Sequence, residues 1–396
     1  MPHIVFNQHH KLKTPTSCDG VLFTFIAQSY NFTSSVRKTE YKVGVKSDDK
    51  EFLLTLKQKD DNVMLKADKP TRVTPISIVK HALNAYAKAT SSHIVFSNTS
   101  NDSHKVEPQR EYLKEIEYFV NEFDTNKEIQ IEIGFGSGRH LIHQAKANPE
   151  VQFIGLEIHT PSIEQMLKQV KLQNITNILA VNYDARLFME FIKSNSVSKI
   201  FVHFPVPWDK KPHRRVYSNE FINEALRILR VDGTLELRTD SRKYFDYCVD
   251  LLTHLPQGKI TIDINKDLNV SSKYEDRWKK QGKAIYDVIL QCQQNDEAIN
   301  LDKDFSFPKA IDFDKFKKNF PQKALVEEDF VVHIEDVFDI EPNGGLIQIT
   351  FGSFNKPLNK YLYVKQGKIN YFQGNPIPTS ANIKAHQKLK EILCHD

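Results

Sequence analysis

Three glycines spaced by single residues, Gly134, Gly136 and Gly138, close an apolar run from Ile129 to Ile133 that alternates with Gln130 and Glu132. The helix-like segment LIHQAKA follows at once. Strand, glycine-rich turn and helix in that order bring a polar ligand against bare backbone, because a glycine has no Cβ to hold the ligand off. The N–H groups that open the helix then face it.

The spacing narrows the ligand. A dinucleotide fingerprint needs two residues between its second and third glycines, and this turn has one. With Glu132 two residues ahead of the first glycine, the stretch resembles the first motif of S-adenosylmethionine (SAM) methyltransferases.

A chain of 396 residues suggests two or three domains, each able to bury a core. Its net charge of +4 is too small to argue for nucleic acid globally, so that case rests on local clustering. No apolar run reaches the length of a membrane span and the N-terminus lacks a leader's apolar core, so a cytoplasmic location and no membrane partner are expected. Cys18, Cys248, Cys292 and Cys394 lie far apart with no CxxC pair, which suggests neither a zinc site nor a disulfide framework.

Patterning divides the chain into three. Residues 1–105 read as a β-rich module with one helix at 77–89 and polar, proline-containing residues 99–110 at its end. Residues 110–295 alternate strand and helix, as a parallel α/β sheet requires. Within them Phe221, Ile222, Ala225, Leu226 and Leu229 line a helix that Gly233 should stop, and 259–265 with 284–292 could close the sheet as an antiparallel pair. Residues 297–396 return to strands, closed by a helix at 380–393, and read as a second β-rich module.

Ligands of open α/β sheets sit at the carboxyl ends of the strands. Glu132 precedes the glycine turn. Glu157 ends the second strand, where an acid accepts from ribose hydroxyls, and Asn182 and Asp184 end the third, where an acceptor takes the adenine amino group. His203 and a proline-rich loop end the fourth, and Asp240 follows the fifth. Any one such acid alone reads as a solvated residue. Their register with one glycine turn reads as a cofactor site.

Residues 110–292 resemble the bacterial tRNA (guanine-N7)-methyltransferases in IEIGFGSG, FIGLEIHTP, the Asn-Tyr-Asp-Ala run, FPVPWDKKPHRR, LRTD and SKYEDR, in that order. The resemblance implies a Rossmann-like class I methyltransferase sheet, here with β-rich additional domains at both ends. It implies SAM as cofactor, held by Glu132, Glu157 and Asp184 with the turn of Gly134, Gly136 and Gly138, and tRNA as partner. It places Lys210, Asp240 and the run Ser272, Lys273, Tyr274, Glu275 at the guanosine. The family usually has Thr where Ser272 stands, and Asp as its usual catalytic candidate where this chain has Val206. Asp240 or Asp209 would have to stand in for it, with Asp240 as the catalytic candidate.

Guanine N7 carries a free lone pair, so attack on the SAM methyl needs no general base, although a carboxylate would stabilise the cationic product. Lys210, Lys211, His213, Arg214 and Arg215 crowd the loop beside Trp208, which suits phosphate contacts with base stacking; the plainer alternative is a solvated basic loop. Arg277 and its neighbours offer further donors to a guanine edge. Two other functions stay open at this point: a methyltransferase for a protein or small molecule, and a tRNA-binding protein without turnover, which Val206 supports. The role of the end modules and the oligomeric state are not legible.

Overall fold

The computed structural model describes residues 1–30, 40–59, 61–100, 111–267, 281–299, 304–342, 344–354 and 357–394. Contacts divide the chain into two compact units: Met1–Lys105 together with Asp302–Asp396, and Val106–Leu301.

The two ends, read from sequence as separate modules, share one twelve-stranded sheet. The strand Val21–Ser29 pairs antiparallel with Phe330–Ile340, Ser29 opposite Phe338, and the Tyr30 N–H donates to the Val337 carbonyl at 2.8 Å. Burial explains the union. Phe25, Ala27 and Leu53 form one apolar cluster with Phe338, Leu346, Tyr361 and Phe372, so each end supplies the cover for apolar surface that the other leaves open. A polar seam crosses the same join. The Lys42 ammonium donates to Asp68 at 2.9 Å and to Thr55 at 3.0 Å, and the Tyr361 hydroxyl donates to Asp68 at 3.2 Å. The other face of the first stretch packs on the helix Ile76–Thr90 through Val79, Leu83 and Tyr86.

The second unit holds β1 (Ile129–Ile133), α1 (Arg139–Ala147), β2 (Gln152–Leu156), α2 (Thr160–Leu172) and β3 (Ile178–Val181). It continues with β4 (Val197–His203), α3 (Asn219–Ile228), β5 (Leu229–Thr239), α4 (Arg242–Thr253), β6 (Lys259–Ile264) and β7 (Tyr286–Gln291). The sheet order is β6-β7-β5-β4-β1-β2-β3, with the two-residue strand Leu113–Lys114 outside β3. The first five strands run parallel, while β7 is antiparallel to both β5 and β6. The order reverses between β1 and β4, which opens a crevice at the carboxyl ends of those two strands.

Every residue of β1 is buried, as its central place demands. In α2, Ile163, Met166, Leu167 and Val170 recur at helical spacing and all are buried. Gly138 caps α1 at φ 72°, and a Cβ there would stand 2.3 Å from the Met166 side chain, so the glycine lets α1 settle against α2. One boundary differs from the sequence reading. Helix α3 ends at Ile228, and Leu229, fully buried and paired with Val197, is already strand. Gly233 stops nothing. It lies inside β5, where a Cβ would meet the carbonyl oxygens of Arg230 at 2.9 Å and Ser198 at 3.0 Å.

Candidate active site

The turn after β1 keeps Gly134, Gly136 and Gly138 at φ 69°, 53° and 72°, which L side chains rarely adopt. The Gly134 N–H donates to the Leu156 carbonyl at 2.7 Å, which ties the turn to the end of β2. Glu157, the next residue, holds three backbone donors. Its Oε2 accepts from Gly136 N–H at 2.9 Å, and its Oε1 accepts from Ile158 at 2.8 Å and His159 at 3.0 Å. Beyond β3, Asn182 is exposed and donates to the Thr160 hydroxyl at 3.3 Å. Asp184 caps the short helix Ala185–Phe188 and takes the Arg186 guanidinium on both oxygens, at 3.1 and 3.0 Å; that bond raises the Arg186 pKa further. Glu132, Glu157, Asn182 and Asp184 thus occupy the carboxyl ends of three adjacent strands.

Glu132 has a partner that the sequence reading passed over. The His140 ring, on the first turn of α1, donates from Nδ1 to Glu132 Oε2 at 2.8 Å, and both residues are buried. His140 also lies 4.4 Å, centroid to centroid, from His203 at the end of β4, and 4.9 Å edge-on from Phe201. Burial drives the His203 pKa well below its usual value, and the neighbouring His140 and Arg238 push it the same way. Arg238, in β5, is buried and donates to Asp287 of β7 at 2.6 Å and to the Lys266 carbonyl at 2.8 Å. Burial raises the Asp287 pKa against the opposing pull of that guanidinium. The one sequence signal for these groups was polar residues inside strands and helices that must be buried.

The loop after β4 is held in an uncommon backbone shape, with Phe204 at φ 49° and Trp208 at φ 45°. Val206 lies between them, 61% exposed. The Arg214 guanidinium sits 5.2 Å over the Trp208 ring, and Lys210 and Lys211 are exposed beside it. Arg215 departs from the basic cluster. It is buried, donates to the Pro207 carbonyl at 2.9 Å and lies 4.3 Å over the Tyr247 ring, so it anchors the loop from beneath. At the end of β5, Asp240 accepts from the Lys283 ammonium at 2.8 Å, a partner the sequence reading did not name. Ser272, Lys273, Tyr274, Glu275 and Arg277, and the side chain of His213, lie outside the described residues.

Among the described residues no group of three or more His, Cys, Asp or Glu is placed to hold a metal ion, and no helix is long and apolar enough to cross a membrane.

A family model described as "Putative methyltransferase" matches residues 126–288. A tRNA (guanine-N(7)-)-methyltransferase of Wolinella succinogenes is 41% identical over 99% of this chain and 100% of its own length. One of Helicobacter hepaticus is 38% identical over 100% of both chains. Among solved structures, an rRNA methylase from Streptococcus thermophilus aligns with a TM-score of 0.31 at 13% identity, covering 45% of this chain and 94% of that one. The second unit carries the Rossmann-like sheet of class I methyltransferases, glycine turn and antiparallel β7 included. Similarity to the Wolinella and Helicobacter enzymes runs through both units, end to end, and the chain belongs to the tRNA (guanine-N(7)-)-methyltransferase family.

Proposed function

We propose that this chain is an enzyme that transfers the methyl group of SAM to N7 of a variable-loop guanosine in tRNA. What carries the reading is the gathering of Glu132, Glu157 and Asp184 around three left-handed glycines at one end of the sheet, in a chain similar end to end to tRNA (guanine-N(7)-)-methyltransferases. Glu157 takes the ribose hydroxyls, Asn182 and Asp184 take the adenine, and Glu132 faces the methionine end beside the turn.

The step moves no proton. The N7 lone pair forms a bond to the methyl carbon, the bond to sulfur breaks, and S-adenosylhomocysteine leaves as a neutral thioether. Positive charge passes from the sulfonium to the guanine ring. With valine at 206, the carboxylate that loop retains is Asp209, 3.6 Å from the Arg215 guanidinium. Rate then rests on positioning two held reactants, with Asp209 and the Asp240–Lys283 pair at the end of β5 as the carboxylates at hand. Lys210 and Arg214 contact phosphates, Trp208 offers a stacking face, and the run from Ser272 to Arg277 reads the guanine edge.

The test is transfer of labelled methyl from SAM to unmodified bulk tRNA, mapped by reduction and aniline cleavage at N7-methylguanosine. A single labelled variable-loop guanosine is expected. Binding of both tRNA and SAM without label would overturn the reading and leave a tRNA-binding protein without turnover. Label that appears in protein or a small molecule, and not in tRNA, would move the substrate elsewhere.

A further inference from the structure

Glu132 is 3% exposed, and a carboxylate so placed must have its orientation settled by neighbours. Only one of its oxygens is used. Oε2 accepts from His140 Nδ1, while Oε1 has no partner among the described residues. His140 is fixed on its other side: the Gln144 amide, one helical turn along α1, lies 3.1 Å from Nε2. An amide that donates to Nε2 leaves the ring proton on Nδ1, so the proton donors run one way, from Gln144 to His140 to Glu132. Phe201, 4.9 Å away and edge-on, and His203, 4.4 Å away, pack against the ring from β4.

We infer that His140 is a positioning residue for the cofactor: it pins one oxygen of Glu132 so that the other is aimed at the cationic amino-acid end of SAM. The inference rests on the SAM reading above. It assigns His140 no contact with tRNA and no part in the methyl transfer itself. Its effect belongs to the part of SAM that carries the ammonium, and the adenosine part, held at the ends of β2 and β3, is outside its reach.

That division supplies the experiment. S-adenosylhomocysteine has the amino-acid end, and 5′-methylthioadenosine lacks it. Dissociation constants for both are measured by calorimetry on the full chain and on His140→Leu, His140→Asn and His140→Gln. The asparagine amide can stand where Nδ1 stands, whereas glutamine places its amide nearer the Nε2 position. His140→Leu and His140→Gln are expected to weaken S-adenosylhomocysteine about tenfold, the scale of one hydrogen bond to a charged group. His140→Asn should recover most of that loss, and 5′-methylthioadenosine should bind all four proteins alike. In turnover, KM for SAM should rise in the Leu and Gln variants while KM for tRNA stays put.

Equal losses for both ligands would make His140 a packing residue and overturn the inference. So would an Asn variant as weak as the Gln variant, a comparison that holds even where His140→Leu does not fold. Failure of the unsubstituted chain to bind S-adenosylhomocysteine at all would overturn the SAM reading together with this one. Normal wild-type binding that no substitution disturbs would overturn this one alone.

Discussion

Glu157 Oε2 accepts a hydrogen bond from the Gly136 backbone N–H at 2.9 Å, so the acid that ends β2 already clasps the turn that follows β1. The carboxylate acts on two partners at once, with the glycine turn on one side and the proposed ribose site on the other. Glu157→Gln keeps the size but turns an NH2 toward backbone donors. Loss of hydrogen bonds to a charged acceptor costs about 1.5–3 kcal/mol. SAM affinity should therefore fall by about ten- to a hundredfold, with a lower melting temperature, as calorimetry and a thermal melt would read. An unchanged affinity would remove Glu157 from the cofactor site.

Val206 is open to solvent in a loop whose shape is fixed by Phe204 and Trp208, so Val206→Asp meets no packing penalty. A carboxylate there would face the charge that develops on the guanine ring. The expected result is a rise in kcat by about tenfold or less, no change in KM for SAM and no shift in melting temperature. Single-turnover methyl transfer is the direct measurement. Activity that appears only in the substituted chain would favour the reading without turnover.

The basic loop divides by burial. Lys210→Ala and Arg214→Ala should raise KM for tRNA several-fold. Each should also lower the salt dependence of binding by about one unit of slope, for the one phosphate it no longer neutralises. SAM affinity should not move. Arg215→Ala should do something different, because Arg215 holds Pro207 and covers Tyr247 from inside. It should lower the melting temperature and loosen the whole loop. Filter binding across a salt series, set beside thermal melts, distinguishes the two classes.

His203 gives a pH dependence with a definite sign. Its folded pKa lies below the unfolded value of about 6.5. The unfolded chain therefore takes up its proton first as the pH falls. Stability from the neutral ring is complete above that value and is lost as the pH drops toward the folded one, by at most about 1.4 kcal/mol per pH unit. The groups that hold the ring neutral are its burial, His140 and Arg238. His203→Phe should flatten the fall in stability between about pH 6.5 and 5 relative to the unsubstituted chain. Denaturant melts across that range would show it, and parallel slopes in the two proteins would contradict it.

The second unit was legible because its strands are short apolar runs bounded by turns, and because Glu157 and Asp184 follow strand ends in register with the glycine turn. Three features were not. His140 is one polar residue in the first turn of a helix, and no periodicity announces that its ring turns inward to an acid eight positions earlier. Arg215 sits among four other basic or ionisable neighbours that look the same in sequence, and only the fold separates the buried one. Gly233 reads as a helix stop because glycine commonly is one, whereas the close approach of Ser198 that requires it belongs to another strand.

The partnership of Ser29 with Phe338 was hidden for a related reason: alternation marks a strand's faces but not its neighbour. That pairing sets an order of events at the ribosome. The strand Val21–Ser29 is made early, and its partner emerges only after the whole methyltransferase sheet has been synthesised. At elongation rates of about 5–20 residues per second the delay is roughly 15–60 s. Through that interval Gln28 and Ser29 lack their backbone partners and the apolar side chains of Phe25, Ala27 and Leu53 lack the cover of Phe338, Leu346, Tyr361 and Phe372, while the inserted sheet already has every strand it needs. The unit begun first is the one finished last, and its opening strands wait longest for their cover.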